Sequence, residues 1–169
     1  MRQITTRLAA LAAILAVSAC TTMAPGDGSD AEVTRLSTSS TYSDQDFQCL
    51  LEAIYHEAAA DSIDGQRAVA NVILNRAEDP RFPNSVCGVV ADGQAQGRCQ
   101  FSYRCDGRPE VFADKVKLQT ATQATTVVLA NPEEDVTNGA LFFHAGWMKP
   151  GWFASLRRTV ALGGNIFYR

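Results

Sequence analysis

The chain of 169 residues has no excess of positive charge. Lys and Arg number 15 against 18 Asp and Glu, for a net charge of −3, so the basic footprint that nucleic-acid binding requires is missing. No apolar run reaches the roughly 18 to 20 residues of a spanning helix. No two cysteines stand as Cys-x-x-Cys, which argues against a zinc site. There is no phosphate-binding glycine loop and no Ser-His-Asp arrangement, so nothing points to a nucleotide enzyme or a serine hydrolase. No internal repeat is present. What remains, 46% apolar and 20% charged, is an ordinary globular balance with room for one domain.

The N-terminus carries a pattern of its own. Arg2 and Arg7 precede the apolar stretch from Leu8 to Val17, and small residues Ser18 and Ala19 lead to Cys20. That is the shape of a secretory signal over residues 1–19, too short for a membrane span. Val17-Ser18-Ala19-Cys20 also resembles the bacterial lipoprotein processing box, which implies cleavage before Cys20 and acylation of that cysteine. The alternative is a simple secretory signal with Cys20 incidental. Thr21 in place of aspartate favours the outer over the inner membrane, so the expected location is the periplasmic side of the cell envelope. From Thr21 to Thr41 the chain is rich in Ser, Thr, Gly and Asp; residues 20–42 therefore read as a lipidated cysteine and flexible tether.

Setting Cys20 aside leaves Cys49, Cys87, Cys99 and Cys105. An even number in an exported chain is expected to form two disulfides. Three pairings are open, and the one expected is Cys49–Cys105 with Cys87–Cys99. A redox or metal function for the four is the competing possibility.

The folded domain is expected over residues 43–169. Ser43 fits an N-cap, with Asp44 and Asp46 in the first turn. Apolar residues at Phe47, Leu50, Leu51, Ile54, Tyr55 and Ala58 then recur at helical spacing, which predicts a helix over about 44–60. A second helix should begin near Asp64 or Gly65 and stop before Asp79-Pro80. A third should follow Pro109, carry Phe112, Val116, Ala121, Ala124, Val127 and Val128, and end before Pro132. Between Arg81 and Gly107 a small hairpin turning around Asp92 to Gly97 is expected, and Ala140–His144 and Ile166–Tyr168 suit short strands. The class is α+β, mainly helical.

Glu57 is the first residue that needs a chemical explanation. It lies seven helical steps from Leu50 and three from Ile54, so its carboxyl group falls at the edge of the face to be buried. Desolvation raises the pKa of such a group, and a carboxyl still protonated near neutral pH is what cleavage of a glycosidic bond requires. The plain structural alternative pairs it with Arg76 or Arg104.

The segments around Glu57 and beyond it carry a resemblance. They are Tyr55-His56-Glu57-Ala58 with Gly65-Gln66, Ala68-Val69-Ala70 and Asn75-Arg76, then Phe82-Pro83-Asn84 with Gly88-Val89-Val90, then Cys99-Gln100-Phe101-Ser102, then Phe142-Phe143-His144, and last Phe167-Tyr168. In this order, over about residues 47–169, they resemble the catalytic domain of the SleB-type cell wall hydrolases, the spore cortex-lytic enzymes and their Gram-negative relatives. The resemblance implies a lysozyme-like fold that acts on the bond between N-acetylmuramic acid and N-acetylglucosamine in peptidoglycan. Glu57 matches the glutamate of the family's Glu-Ala-Arg-Gly-Glu motif, and Gln100, Phe101 and Ser102 match its Gln-Phe-Ser cleft segment. Phe143 and His144 match a Tyr-His pair. Two departures stand out: Phe143 lacks the usual hydroxyl, and Ala59-Ala60 replaces the usual Arg-Gly.

The substrate-binding residues expected are Gln100, Ser102, Phe143, His144 and Trp152, each with a simpler reading. Gln100 suits an exposed strand position, His144 a satisfied core histidine, and Trp152 core packing as well as stacking on a sugar. No second acid stands out in the matching segments, which favours a lytic transglycosylase with one acid/base over two-carboxylate hydrolysis. No cofactor or metal is expected, and a monomer is. Hydrolysis by water and a peptidoglycan-binding module without turnover are the competing functions.

Overall fold

The computed structural model describes residues 41–149 and 151–169; the expected signal segment, Cys20 and the tether up to residue 40 lie outside them. Ser43 does cap the first helix, α1 (Asp44–Ala58). Its hydroxyl accepts from the Asp46 N–H at 3.1 Å while the Asp46 carboxylate accepts from the Ser43 N–H at 3.0 Å, a reciprocal box that satisfies two donors at the helix start. Leu50 and Ile54 are wholly buried and Ala58 nearly so, forming the stripe that the spacing predicts. The helix stops at Ala58, two residues short of the expected end, because Asp61 turns back onto the Ala58 carbonyl and Ser62 caps α2 (Ile63–Glu78).

Ten of the 16 residues of α2 are buried, so this helix forms the centre, with α1 and α4 packed on it. Burial on so many sides encloses polar side chains too, and each then needs a partner. Asn71 accepts from the Val136 N–H at 3.3 Å. Asn75 donates to Asp135 and to the Ala140 carbonyl, both at 3.1 Å. Arg76 donates to the Leu141 carbonyl at 2.7 Å. These bonds fix residues 135–141 along α2 and so aim the strand that follows. Burial pushes the Asp135 carboxyl up, but hydrogen bonds from Thr137, Gly139 and Asn75 outweigh it and hold the group below its usual range.

That strand is β1 (Phe142–Ala145), and with β2 (Arg158–Leu162) and β3 (Asn165–Tyr168) it forms an antiparallel sheet in the order β1-β3-β2. The expected short strands near 140–144 and 166–168 are therefore present. The hairpin of the fold joins β2 to β3 through Gly163 (φ 55°) and Gly164 (φ 80°), and two left-handed residues suit a two-residue turn. Gly163 also lies against Gly65. A Cβ on Gly65 would stand 2.7 Å from the Gly163 Cα, so the hairpin docks on α2 only because both are glycine.

The hairpin expected between Arg81 and Gly107 does not form. Ser85 accepts from the Gly88 N–H at 3.1 Å and caps a short helix, α3 (Val86–Val90), whose Val86, Val89 and Val90 are buried at helical spacing. Two 3-10 turns follow, Gln94–Gln96 and Ser102–Cys105. The last long helix, α4 (Lys115–Ala130), starts at the cap Asp114, later than expected. Val116 is consequently 72% exposed rather than inward, and Phe112 packs edge-on against Tyr55 from an extended lead-in.

The disulfides are Cys49–Cys87 and Cys99–Cys105, which corrects the expected Cys49–Cys105 and Cys87–Cys99. The expectation required Cys87 and Cys99 on facing strands. With Cys87 on a helix packed against α1, its neighbour is Cys49, and Cys99 meets Cys105 across the second 3-10 turn. Their use in disulfides removes all four as zinc ligands. The Cys49–Cys87 bond spans 38 residues and Cys99–Cys105 only 6, so loop-closure entropy gives about 4 and about 2 kcal/mol respectively. Thermal denaturation should therefore show C49S/C87S losing clearly more in Tm than C99S/C105S; equal losses would contradict this account of the two crosslinks.

Candidate active site

Glu57 sits in the last turn of α1, where the buried stripe meets the surface. Two hollows open on it. The first, of about 500 Å³, is lined by Glu57, Arg76, Gln100, Phe101, Ser102, Phe142 and Phe143. The second, of about 340 Å³, is lined by Glu57, Phe143, His144, Ala145, Met148, Phe153 and Asn165. Glu57 and Phe143 belong to both, so a groove passes the carboxyl group with the Phe143 ring between its halves. A larger hollow of about 620 Å³ at the start of α1, walled by residues such as Tyr42, Asp44, Phe47 and Glu133, contains none of these residues.

Burial pushes the Glu57 carboxyl above its ordinary value, and a hydrogen bond from the Ser102 backbone N–H only partly offsets this. Among the described residues no cation stands within ion-pair distance of it. Arg104 pairs instead with Glu52 at 2.8 Å. Arg76 is held by the Leu141 carbonyl, its guanidinium 5.1, 5.8 and 5.9 Å from the ring centres of Phe82, Phe142 and Phe101. Burial lowers its pKa to about 10, against the opposing pull of Asp92, so it remains charged at neutral pH. The structural alternative for Glu57 as one half of an ion pair is therefore not what the fold builds.

The segment facing Glu57 has little regular structure and is pinned at several points. Phe101 is buried under Arg76, while Gln100 and Ser102 on either side are exposed and line the first hollow. The Gln100 N–H donates to the Asp92 carbonyl at 3.0 Å, so Gln100 lies in a bend and not on a strand. Cys99–Cys105 closes a ring around the three residues.

Phe143 stacks on buried Phe167, ring centres 5.7 Å apart. His144 borders the second hollow but is itself buried. Its Nδ1 lies 2.7 Å from the Ala145 carbonyl, which requires a proton on that nitrogen, and in the neutral ring Nε2 then accepts from the Tyr168 hydroxyl at 3.0 Å. Phe153 and Tyr168 flank its ring. Trp152 stands in the 3-10 turn Gly151–Ser155, with its side chain outside the described residues. The fold thus brings Glu57, Gln100, Ser102, Phe143 and His144 together. Sequence reasoning missed Arg76 as a cleft residue, Met148 and Phe153 as apolar walls, and Asn165, for which no sequence signal existed.

Comparisons with known proteins bear on this site. The family model described as Cell Wall Hydrolase matches residues 60–168, beginning three residues after Glu57. The spore cortex-lytic enzyme of Halalkalibacterium halodurans is 33% identical over 126 residues, 75% of this chain and 35% of that protein. That of Oceanobacillus iheyensis is 30% identical over 128 residues, 75% of this chain and 42% of the relative. The chain thus spans less than half the length of these relatives. Among solved structures, the catalytic domain of the Bacillus cereus SleB protein superposes with a TM-score of 0.61 at 29% identity, covering 76% of this chain and 92% of that one. The catalytic domain of the germination-specific lytic transglycosylase SleB from Bacillus anthracis gives the same TM-score and identity, with 98% of its chain covered. With most of the described fold matched in sequence and in structure, this chain belongs to the cell wall hydrolase family.

Proposed function

We propose that this protein cleaves the glycan strands of peptidoglycan between N-acetylmuramic acid and N-acetylglucosamine as a lytic transglycosylase, with Glu57 as its single acid and base. The observation that carries the reading is a half-buried carboxyl group with a raised pKa at the centre of a groove, with no cation in ion-pair distance among the described residues. Glu57 is also the one carboxylate among the described residues lining the two hollows. The family membership and the names of the relatives support it.

The protonated Glu57 gives its proton to the glycosidic oxygen as the bond from that oxygen to C1 of muramic acid breaks, leaving an oxocarbenium-like ring. The Ser102 N–H then stabilises the new carboxylate. That carboxylate takes the proton from the 6-hydroxyl as O6 bonds to C1, which closes the 1,6-anhydro ring and restores the acid without water. Gln100 and Ser102 are assigned to sugar contacts in the first hollow and Phe143 to packing between its halves. We assign Cys20 as a lipidated anchor on the periplasmic side of the envelope, the outer membrane favoured, and the protein as a monomer.

Digestion of purified peptidoglycan, with the fragments identified by mass spectrometry, tests the reading. The parent should release anhydromuramic acid ends, and Glu57→Gln should lower their rate about 10²–10⁴-fold. Reducing muramic acid ends would replace the transglycosylase by a hydrolase, and binding without release by either protein would leave a glycan-binding module.

The ring closed by Cys99–Cys105 has a separate consequence. It contains Ser102, whose backbone N–H lowers the Glu57 pKa, and a hydrogen bond to a charged group contributes about 1.5–3 kcal/mol. C99S/C105S should therefore lose about tenfold or more in kcat while still folded at the assay temperature. Parental kcat in the folded variant would show that the ring has no part in placing Ser102.

A further inference from the structure

The second hollow is walled by carbon at Phe143, Ala145, Met148 and Phe153. Its polar groups are few. Both nitrogens of His144 are already engaged, by the Ala145 carbonyl and the Tyr168 hydroxyl, and Glu57 is assigned to the acid role. The remaining one is Asn165, the first residue of β3, paired in register with Ala145 and Leu162. Its Nδ2 donates to the Asp61 carboxylate at 2.7 Å, which fixes the orientation of the carboxamide. Among the described residues its Oδ1 has no protein partner, so an acceptor and the second N–H remain for a ligand. Asp61 is in turn fixed by the turn after α1, where its N–H donates to the Ala58 carbonyl at 2.9 Å.

We propose that Asn165 is the specificity-determining residue of this half of the groove and that it reads the acetamido group of a sugar, with Asp61 as its positioning residue. An acetamido group presents a methyl, an N–H donor and a C=O acceptor in one plane. Its methyl fits the walls formed by Phe143, Met148 and Phe153, and one of its polar atoms meets Asn165, the amide N–H donating to Oδ1 or the C=O accepting from the free N–H. A bare hydroxyl would leave the carbon walls without a partner, and an amino group in place of the acetamide would bring a charge against them. The inference rests on the proposed action on glycan strands.

The test uses the full chain and two substrates, peptidoglycan strands with their acetamido groups intact and the same strands after de-N-acetylation, with kcat/KM measured for each. The parent should prefer the acetylated strands. Asn165→Ala should lose about tenfold on those strands and little on the others, as one neutral hydrogen bond and its orientation are removed. Asp61→Ala should erode the same preference, and Asp61→Asn, which keeps an acceptor oxygen, should largely restore it. An unchanged preference in Asn165→Ala with parental Tm would overturn the proposal. Should Asn165→Ala fail to fold, Asn165→Leu replaces it: an apolar side chain of similar size offers neither acceptor nor donor, and a retained preference would again overturn the proposal. Binding of chito-oligosaccharides to Glu57→Gln, with and without Asn165→Ala, separates the two readings. Parental turnover by Glu57→Gln would remove the acid assignment, whereas equal affinity in the two proteins would remove the role of Asn165.

Discussion

A helix buried on most sides imposes a strict condition on its polar side chains, and in this protein that condition builds the cleft. Asn71 and Arg76 of α2 are buried and Asn75 is partly so, and leaving a buried polar group unpaired would cost about 1–3 kcal/mol or more. Each is answered by residues 135–141. The segment is thereby held along α2 over its length, and β1 leaves it in one direction, carrying Phe143 and His144 to the end of α1. Arg76 belongs to both tasks, since the guanidinium that secures Leu141 also spreads beneath Phe82, Phe101 and Phe142 and supports two walls of the first hollow. Residues 99–105 are anchored by the Phe101 side chain, by the ion pair of Arg104 with Glu52 and by a short disulfide ring.

Between the walls the fold places a carboxyl group where its charge is disfavoured. Burial raises the Glu57 pKa, so the folded protein retains a proton that the unfolded chain has already released. Stability then falls as pH rises from the unfolded to the folded pKa. The same burial keeps the acid ready to donate. An arginine nearby would relieve the cost and remove the proton, and the two arginines that sequence reasoning offered as partners are held elsewhere, one by Glu52 and one by a carbonyl and three rings.

The parts of this arrangement that were legible in the sequence are those set by local spacing. Ser43 with Asp46, the Leu50–Ile54–Ala58 stripe and the place of Glu57 at its edge follow from helical geometry, and the segments from Tyr55 to Tyr168 carried the family resemblance. What could not be read depends on packing between distant residues. The disulfides required knowing that α3 is a helix lying on α1; Ser85 with valines at 86, 89 and 90 was the signal for it, outweighed by the Gly-rich composition around it. Gly163-Gly164 marked the true hairpin between two short apolar runs. The roles of Arg76 and Asn165 had no local signal, because their partners Leu141 and Asp61 lie 65 and 104 residues away.

The proposed chemistry depends on a Glu57 that stays protonated in the folded protein above the pH at which an ordinary glutamate ionises. Selective ¹³C labelling of glutamate, with the Glu57 side-chain resonance identified by its loss in Glu57→Gln, allows that carboxyl to be titrated directly. A midpoint raised above that of the exposed glutamates, with no transition from pairing to a nearby cation, is the result the account predicts. A midpoint at or below the ordinary glutamate value would mean that the group is solvated or paired, and that the acid of this cleft must be sought elsewhere.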